Sequence, residues 1–226
     1  MDDARKILVT GASGYVGGRL VTSLLDEKMK VRVFVRDIKK AQSHTWSSEV
    51  EIAVGNASDY QSTLTALNGI HTAFYLLHSI NVGKNFDEVE AQMAHSFAKA
   101  AQEAGVKQIV YLGGIANDAK TSKHLKSRAN TGKELATTSV AVMELRAGII
   151  IGSGSASFEI IRDLVEKLPI MVTPKWLHTK CQPIGISDVI AFLSKSLFDL
   201  KTYNQNFDIG GPDILSYKNM LLDFGS

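Results

Sequence analysis

Thr10, Gly11, Ala12, Ser13, Gly14, Tyr15, Val16 and Gly17 follow directly on the apolar run Ile7, Leu8, Val9, and this junction decides the fold. An apolar run of that length bounded by glycine reads as a buried parallel strand ending in a sharp turn, with a helix opening behind it. Each glycine has its own reason. Gly11 makes the turn, Gly14 lacks the Cβ that would hold a pyrophosphate away, and Gly17 lets the following helix pack close to the strand. The N–H groups of the turn, from Ser13 through Tyr15 and Val16, then sit at the positive end of a helix, where phosphates bind. A glycine triplet alone says little, but one placed between a strand and a helix is a dinucleotide-binding turn.

The rest of the chain repeats the strand and helix alternation. Apolar runs at 7–10, 31–35, 50–54, 73–77, 108–112, 140–145 and 207–209 predict seven strands. Helical stretches between them predict a doubly wound α/β fold, a parallel sheet covered on both faces. The helix after the turn presents Val16, Leu20 and Leu24 at four-residue spacing. A longer one over 86–104 presents Val89, Met93, Phe97, Ala100 and Ala101. Asp59 is placed to cap the start of a helix and Gly105 to end one. Beyond Gly148 the pattern loosens. A helix of about 13 residues runs to Pro169, as spacing alone suggests, followed by a Pro174–Trp176 segment, so residues 152–182 are the expected substrate lobe, with 211–226 contributing, on a single domain over 1–226. A last helix is expected at 217–224, ending just short of the final Gly225 and Ser226.

Composition limits the partners. The 226 residues are 45% apolar, enough for one sizeable core. Twenty-five basic and 23 acidic residues leave a net charge of +2 without a long basic run, which gives nucleic acid no electrostatic footprint. A phosphate-bearing small molecule and a small-molecule substrate fit better. The single Cys181 precludes an internal disulfide and suits a reducing compartment. No apolar run reaches the length of a membrane span, and the early glycine turn leaves no room for a signal peptide, so a cytoplasmic protein is expected.

Larger fragments carry a resemblance. TGASGYVGGRL at 10–20, VRVFVRD at 31–37, AFYLLHS at 73–79, QIVYLGG at 108–114, HLKSRA at 124–129, ELRAGIIIGSGSASFE at 144–159 and QPIGISDVIAFL at 182–193 resemble the atypical and extended short-chain dehydrogenase/reductases. Among these, the similarity is to NmrA-like NAD(P)-binding proteins, including a group described as nucleoside-diphosphate-sugar epimerases. The resemblance implies a Rossmann fold and an NAD(P) cofactor; chemistry does not follow from fold.

Which nucleotide turns on the end of the second strand. An NAD site places an acid there for the ribose 2′-hydroxyl. Here Arg36 stands instead, suited to a 2′-phosphate, so NADP is expected over NAD. Asp37 could take the acidic role if the strand ran one residue longer. Asn56 resembles the family's adenine-contacting residue, and serves equally as a turn residue. Leu76, Leu77 and His78, at the end of the fourth strand, are placed along the path of the cofactor ribose and nicotinamide, as are Arg146 and Ala147 at the end of the sixth. An ion pair from Arg146 to Glu144 or another acid is the competing role.

The superfamily's reductases use a Tyr-x-x-x-Lys pair and a Ser or Thr at the end of strand five. In the matching register this chain carries His124 and Arg128, with Gly114 near the serine position. Four residues apart, His124 and Arg128 share a helix face, and a neighbouring guanidinium would favour the neutral imidazole, leaving His124 able to exchange a proton near neutral pH. Alternatively both are boundary residues of a helix whose buried stripe is Leu125, Ala129, Gly132 and Ala136. Pairing Ser122 with Lys126 supplies no group of suitable acidity. The run 152–155 could contact an anionic substrate or be a plain loop. The remaining histidines, His44, His71, His95 and His178, have no metal-binding spacing, and no metal is expected. Two functions therefore compete: an NADP-dependent oxidoreductase or epimerase-like enzyme, and a protein that senses NADPH or assists assembly without turning anything over.

Overall fold

The computed structural model describes residues 5–78, 85–116, 122–154, 179–216 and 219–220. All seven expected strands are present: β1 (Lys6–Thr10), β2 (Lys30–Val35), β3 (Glu51–Val54), β4 (Thr72–Tyr75), β5 (Gln108–Gly114), β6 (Ala141–Ala147) and, numbered in chain order, β10 (Asn206–Ile209). They form one parallel sheet in the order β10-β6-β5-β4-β1-β2-β3. The order reverses between β1 and β4. That crevice is where a doubly wound sheet takes its ligand.

Side chains alternate across the sheet and make two cores. Val9, Val33, Val110 and Met143 face one side, with Leu20 and Leu24 of α1 (Tyr15–Asp26) and, further along the chain, Val189 and Leu193 of α6 (Ile186–Lys195). Leu8, Phe34, Ala73, Ile109 and Val142 face the other, under α3 (Tyr60–Leu67), α4 (Phe86–Glu103) and α5 (Lys123–Leu135). Completing the helices, α2 (Ile38–Gln42) follows β2. Asp59 caps α3 through the Ser62 N–H at 3.0 Å, and Gly105, with φ of +76°, ends α4. Buried Arg32 ties β2 to α3, donating to the carbonyls of Ala66 and Asn68 at 2.7 and 2.8 Å while pairing with Glu51 at 2.6 Å.

Two helices depart from their expected faces, α4 only at its start. There Phe97, Ala100 and Ala101 are fully buried as expected and half-buried Met93 packs on the core, but Glu90, Ala94 and Ala98 are buried too and Val89 is 41% exposed. On α5 the buried residues are Ser127, Thr131, Gly132 and Leu135; Leu125 and Ala129 are only half-buried and Ala136 is exposed. A polar contact accounts for both departures. Ser127 donates a short hydrogen bond to the Glu90 carboxylate between the helices, and a buried carboxylate needs such a donor. Apolar periodicity cannot register an interface held by a serine and a glutamate.

The ends of the expected lobe are described, and its middle, 155–178, lies outside the described residues, as does most of the 217–224 helix. β7 (Ile150–Ile151) pairs parallel with β9 (Ile184–Gly185), and β8 (Lys180–Cys181) pairs antiparallel with β11 (Leu215–Ser216). Strands of two residues leave no periodicity to read.

Candidate functional site

At the point of reversal one side chain joins the two central strands. Thr10 donates through Oγ1 to the Phe74 carbonyl at 3.0 Å and accepts from the Leu76 N–H at 3.0 Å. Taking the next rung of the ladder by side chain, it ends β4 at Tyr75, two residues earlier than expected, and turns Leu76–His78 out of the sheet. Gly11 follows with φ of +66°, and a Cβ there would stand 2.6 Å from the Leu76 carbonyl oxygen. A Cβ on Gly17 would lie 2.2 Å from the Gly11 oxygen, inside any tolerable contact. Gly14 differs. It is exposed, its φ is −90°, and its Cβ would meet only the Gly11 oxygen, at 3.1 Å. Thus two glycines serve the fold, and the third is exposed with a single atom near the place of its Cβ.

The helix behind the turn starts at Tyr15 with Gly14 as its N-cap, no side chain capping it and no acid in its first turn. Its leading N–H groups therefore lack intrahelical partners and present partial positive charge. Gly11 and Ser13 form one wall of a cleft completed by Phe34, Val35, Arg36, Asn56, Ala57, Leu77, His78, Val89 and Met93. Five expected residues, Gly11, Ser13, Arg36, Asn56 and Leu77, thereby meet with His78 at one place. Val89 and Met93, expected on the apolar face of α4, line the cleft, and Met93 also packs on the core.

Arg36 is exposed and lines the cleft just after β2 ends at Val35. Asp37 does not extend the strand. Its Oδ1 accepts from the N–H groups of Lys39 and Lys40, at 2.9 and 3.2 Å, as the cap of α2. The Asn56 Oδ1 accepts from the Ser58 N–H at 3.1 Å, so the side chain shapes its turn while facing the cleft.

His78 occupies the far end. Its Nε2 stands 3.1 Å from the Leu112 carbonyl oxygen, and since a carbonyl only accepts, Nε2 carries the proton. Desolvation and, second, the positive charge of Arg128 lower its pKa from 6.5 to about 4, so the ring is neutral at physiological pH. Gly114 closes β5 beside it. A Cβ on Gly114 would lie 2.7 Å from Leu125 Cδ2 and 3.4 Å from Arg128 Nη1, so the arginine and leucine fill the space a serine would need.

His124 stands elsewhere. Exposed at the start of α5, its ring stacks on Phe86 with centroids 4.8 Å apart, in a surface group with Lys123 and Asp87. It is not among the cleft-lining residues. Ser122 caps α5 through the Leu125 N–H at 3.3 Å. Arg146 is paired with Asp208 of β10 at 2.6 Å and opens on a separate groove with Glu144, while Ala147 is buried at the strand end. Val16 packs on the core. Tyr15 lies beneath the loop after β7: a Cβ on Gly152 would be 2.6 Å from its hydroxyl, and Arg19, over its ring at 4.0 Å, donates to the Ser153 carbonyl at 3.0 Å. Cys181 is half-buried, and burial raises its pKa, which leaves a poor nucleophile. Among the described residues no group of side chains could hold a metal ion, and no helix is long and apolar enough to cross a membrane. His178 lies outside the described residues.

Comparison with known proteins agrees with this fold. Residues 3–133 match the model of the NmrA-like family. A 3-beta-hydroxysteroid dehydrogenase of Mycolicibacterium neoaurum is 32% identical over 119 residues, 48% of this chain and 32% of that protein. An NAD(P)H azoreductase of Xenophilus azovorans is 31% identical over 109 residues, 48% of this chain and 35% of that protein. The chain thus spans about a third of the length of these relatives. Among solved structures, the Bordetella bronchiseptica enzyme WbmG in complex with NAD superposes with a TM-score of 0.78 at 18% identity, covering 99% of this chain and 79% of that one. A UDP-glucose 4-epimerase of Thermotoga maritima gives 0.76 at 12% identity, covering 97% and 82%. At such identities the likeness speaks for the fold.

Proposed function

From the premise that the chain belongs to the NmrA-like family, shown by a match over more than half of its 226 residues, we propose that it binds NADP(H) in the cleft between β1 and β4 and works as an atypical short-chain oxidoreductase. The observation that carries the reading is the exposed Gly14 before an uncapped helix start, a cradle that a Cβ would fill. The name of one relative, an NAD(P)H azoreductase, supports the same cofactor class. Bound there, the reduced nicotinamide supplies hydride. The chain's own residues do the positioning. The first N–H groups of α1 hold phosphate oxygens, Val89 and Met93 with Phe34 exclude water from a flat apolar ring, and Asn56 offers its amide to it. Arg36 supports NADP over NAD because a 2′-phosphate gives a guanidinium a charge-assisted partner and a hydroxyl does not. A cytoplasmic setting and a substrate lobe over 152–182 and 211–226 belong to the same reading.

Fluorescence titration tests it. NADPH should bind more tightly than NADH by about tenfold to a hundredfold, the worth of one charge-assisted pair at a partly exposed site. Arg36→Ala should remove most of that difference. Equal affinities in the unmodified protein would overturn the NADP assignment.

A second reading, in which NADPH is sensed and not oxidised, is favoured by Gly114, His124 and Arg128 standing at the Ser, Tyr and Lys positions. His124→Phe separates the two roles of that histidine. Because the ring stacks on Phe86 outside the cleft, the substitution is expected to leave both NADPH affinity and any NADPH oxidation unchanged. A fall in turnover of about 100-fold with affinity retained would mark His124 as the proton donor.

A further inference from the structure

Among the described residues, one carboxylate is buried with an oxygen that has no partner. Glu144, in the middle of β6, is 8% exposed, and its Oε1 is wholly buried without a hydrogen bond. Strand alternation puts Val142, Glu144 and Arg146 on the face of the sheet that α5 covers, where Val142 packs in the core. Burying a carboxylate without a donor is costly, whereas an apolar side chain at the same place would cost nothing. The group itself registers its surroundings: burial raises its pKa, Arg146 lowers it and Asp208 raises it again.

The chain makes room for this carboxylate. A Cβ on Gly113 of β5 would lie 2.5 Å from Oε1, and one on Gly132 of α5 would lie 3.0 Å from each oxygen and 3.1 Å from Cδ. Near-equal distances to three atoms set Gly132 over the flat of the carboxylate. Two backbones thus close on Oε1 and on one face, while the residue also lines a groove of about 330 Å³ beside α5 and β6. Ala129, Ala136 and Val142 give that groove small apolar walls, and its size is that of a small-ligand site. None of its lining residues also lines the dinucleotide cleft. The polar neighbours are engaged elsewhere or face water. Arg146 pairs with Asp208 at 2.6 Å, and Tyr111, opposite Glu144 across the β5 and β6 pair, donates to the Arg128 carbonyl at 3.0 Å. Lys133, exposed at the groove, makes no ion pair among the described residues.

We propose that this groove binds a small organic cation bearing N–H donors, an ammonium or amidinium on an apolar body, and that Glu144 supplies its counter-charge. The site is separate from the cofactor cleft and does not depend on how that cleft is read. Arg146 and Asp208 cancel as a pair and Lys133 is solvated, so one bound cation balances the one buried charge. A charged N–H donor gives the carboxylate a strong bond, and the alanine and valine walls take the apolar body. An anion would be repelled. A neutral donor would leave the charge uncompensated.

The test is calorimetric titration of the 226-residue chain with benzamidine, beside its uncharged isostere benzamide and phenyltrimethylammonium, a cation without N–H. Benzamidine should bind at least about tenfold more tightly than either, the worth of one hydrogen bond to a charged group. Glu144→Gln keeps the shape and removes the charge, and should lower benzamidine affinity by about tenfold or more in a variant whose melting shows that it folds. Glu134→Gln removes an acid of α5 already paired with His95, at 3.1 Å, and should change nothing. In the unmodified protein, needing no variant to fold, the Gly113 and Gly132 amide resonances should shift with benzamidine and not with benzamide. The proposal is overturned if benzamidine fails to bind, if either comparison compound binds as well, if folded Glu144→Gln binds it undiminished, or if the two glycine resonances stay in place. Binding that appears only in Lys133→Met also overturns it, since the lysine would then be the counter-ion of Glu144.

Discussion

Gly14→Val is expected to weaken NADPH binding by about 100-fold or more in a protein that still folds. The loss of two phosphate hydrogen bonds to charged oxygens, each worth about 1.5–3 kcal/mol, sets that scale. Folding survives because Gly14 is exposed, has an ordinary negative φ, and its new Cβ meets a single oxygen at 3.1 Å, which a shift of a few tenths of an ångström relieves. The branch instead occupies the space in front of the uncapped N–H groups of α1. Circular dichroism and melting should match the unmodified protein while fluorescence titration shows the loss. A folded variant with undiminished affinity would place the nucleotide elsewhere.

Gly17→Ala should show the opposite pattern: about 3 kcal/mol or more of stability lost, with binding impaired only through the fold. A methyl at 2.2 Å from the Gly11 oxygen and 2.7 Å from its carbonyl carbon cannot be relieved by a rotamer change. The first turn of α1 must move off the strand, opening the contact of Leu20 and Val21 with the core. Backbone overpacking of this kind stands at the severe end of single substitutions. For a chain of 226 residues the melting temperature should fall by roughly 6–12 °C. Urea or thermal denaturation reads it directly, and a melting temperature within about 2 °C of the unmodified protein would contradict the packing described for this turn. The same motif thus separates, residue by residue, into a ligand position and a folding position.

Reading the chain along its length recovered the strands because strands covered on both faces are continuous apolar runs, visible without knowing their neighbours. Helix faces were recovered less well. Val89 and Met93 are apolar in the right rhythm for a core yet line a cleft, Met93 packing on the core as well, since an apolar cleft wall has the same composition as a core. Ser127 and Glu90 are polar in the wrong rhythm yet buried, because each satisfies the other. Hydrophobic period reports which side chains avoid water and is blind to what replaces the water.

The sequence by itself determined the sheet, its seven strands and the glycine turn, together with Arg36 after the second strand, because these depend on backbone sterics and on contacts within one strand-turn-helix unit. Only the tertiary structure decided the partners. Asp37 is used up as a helix cap a few residues away, Arg146 is neutralised by Asp208, 62 positions along the chain, and His124 is drawn to Phe86 and away from the cleft. Whether a charged or titratable side chain is available for chemistry depends on which groups surround it in space. That is a sum over contacts distant in the chain.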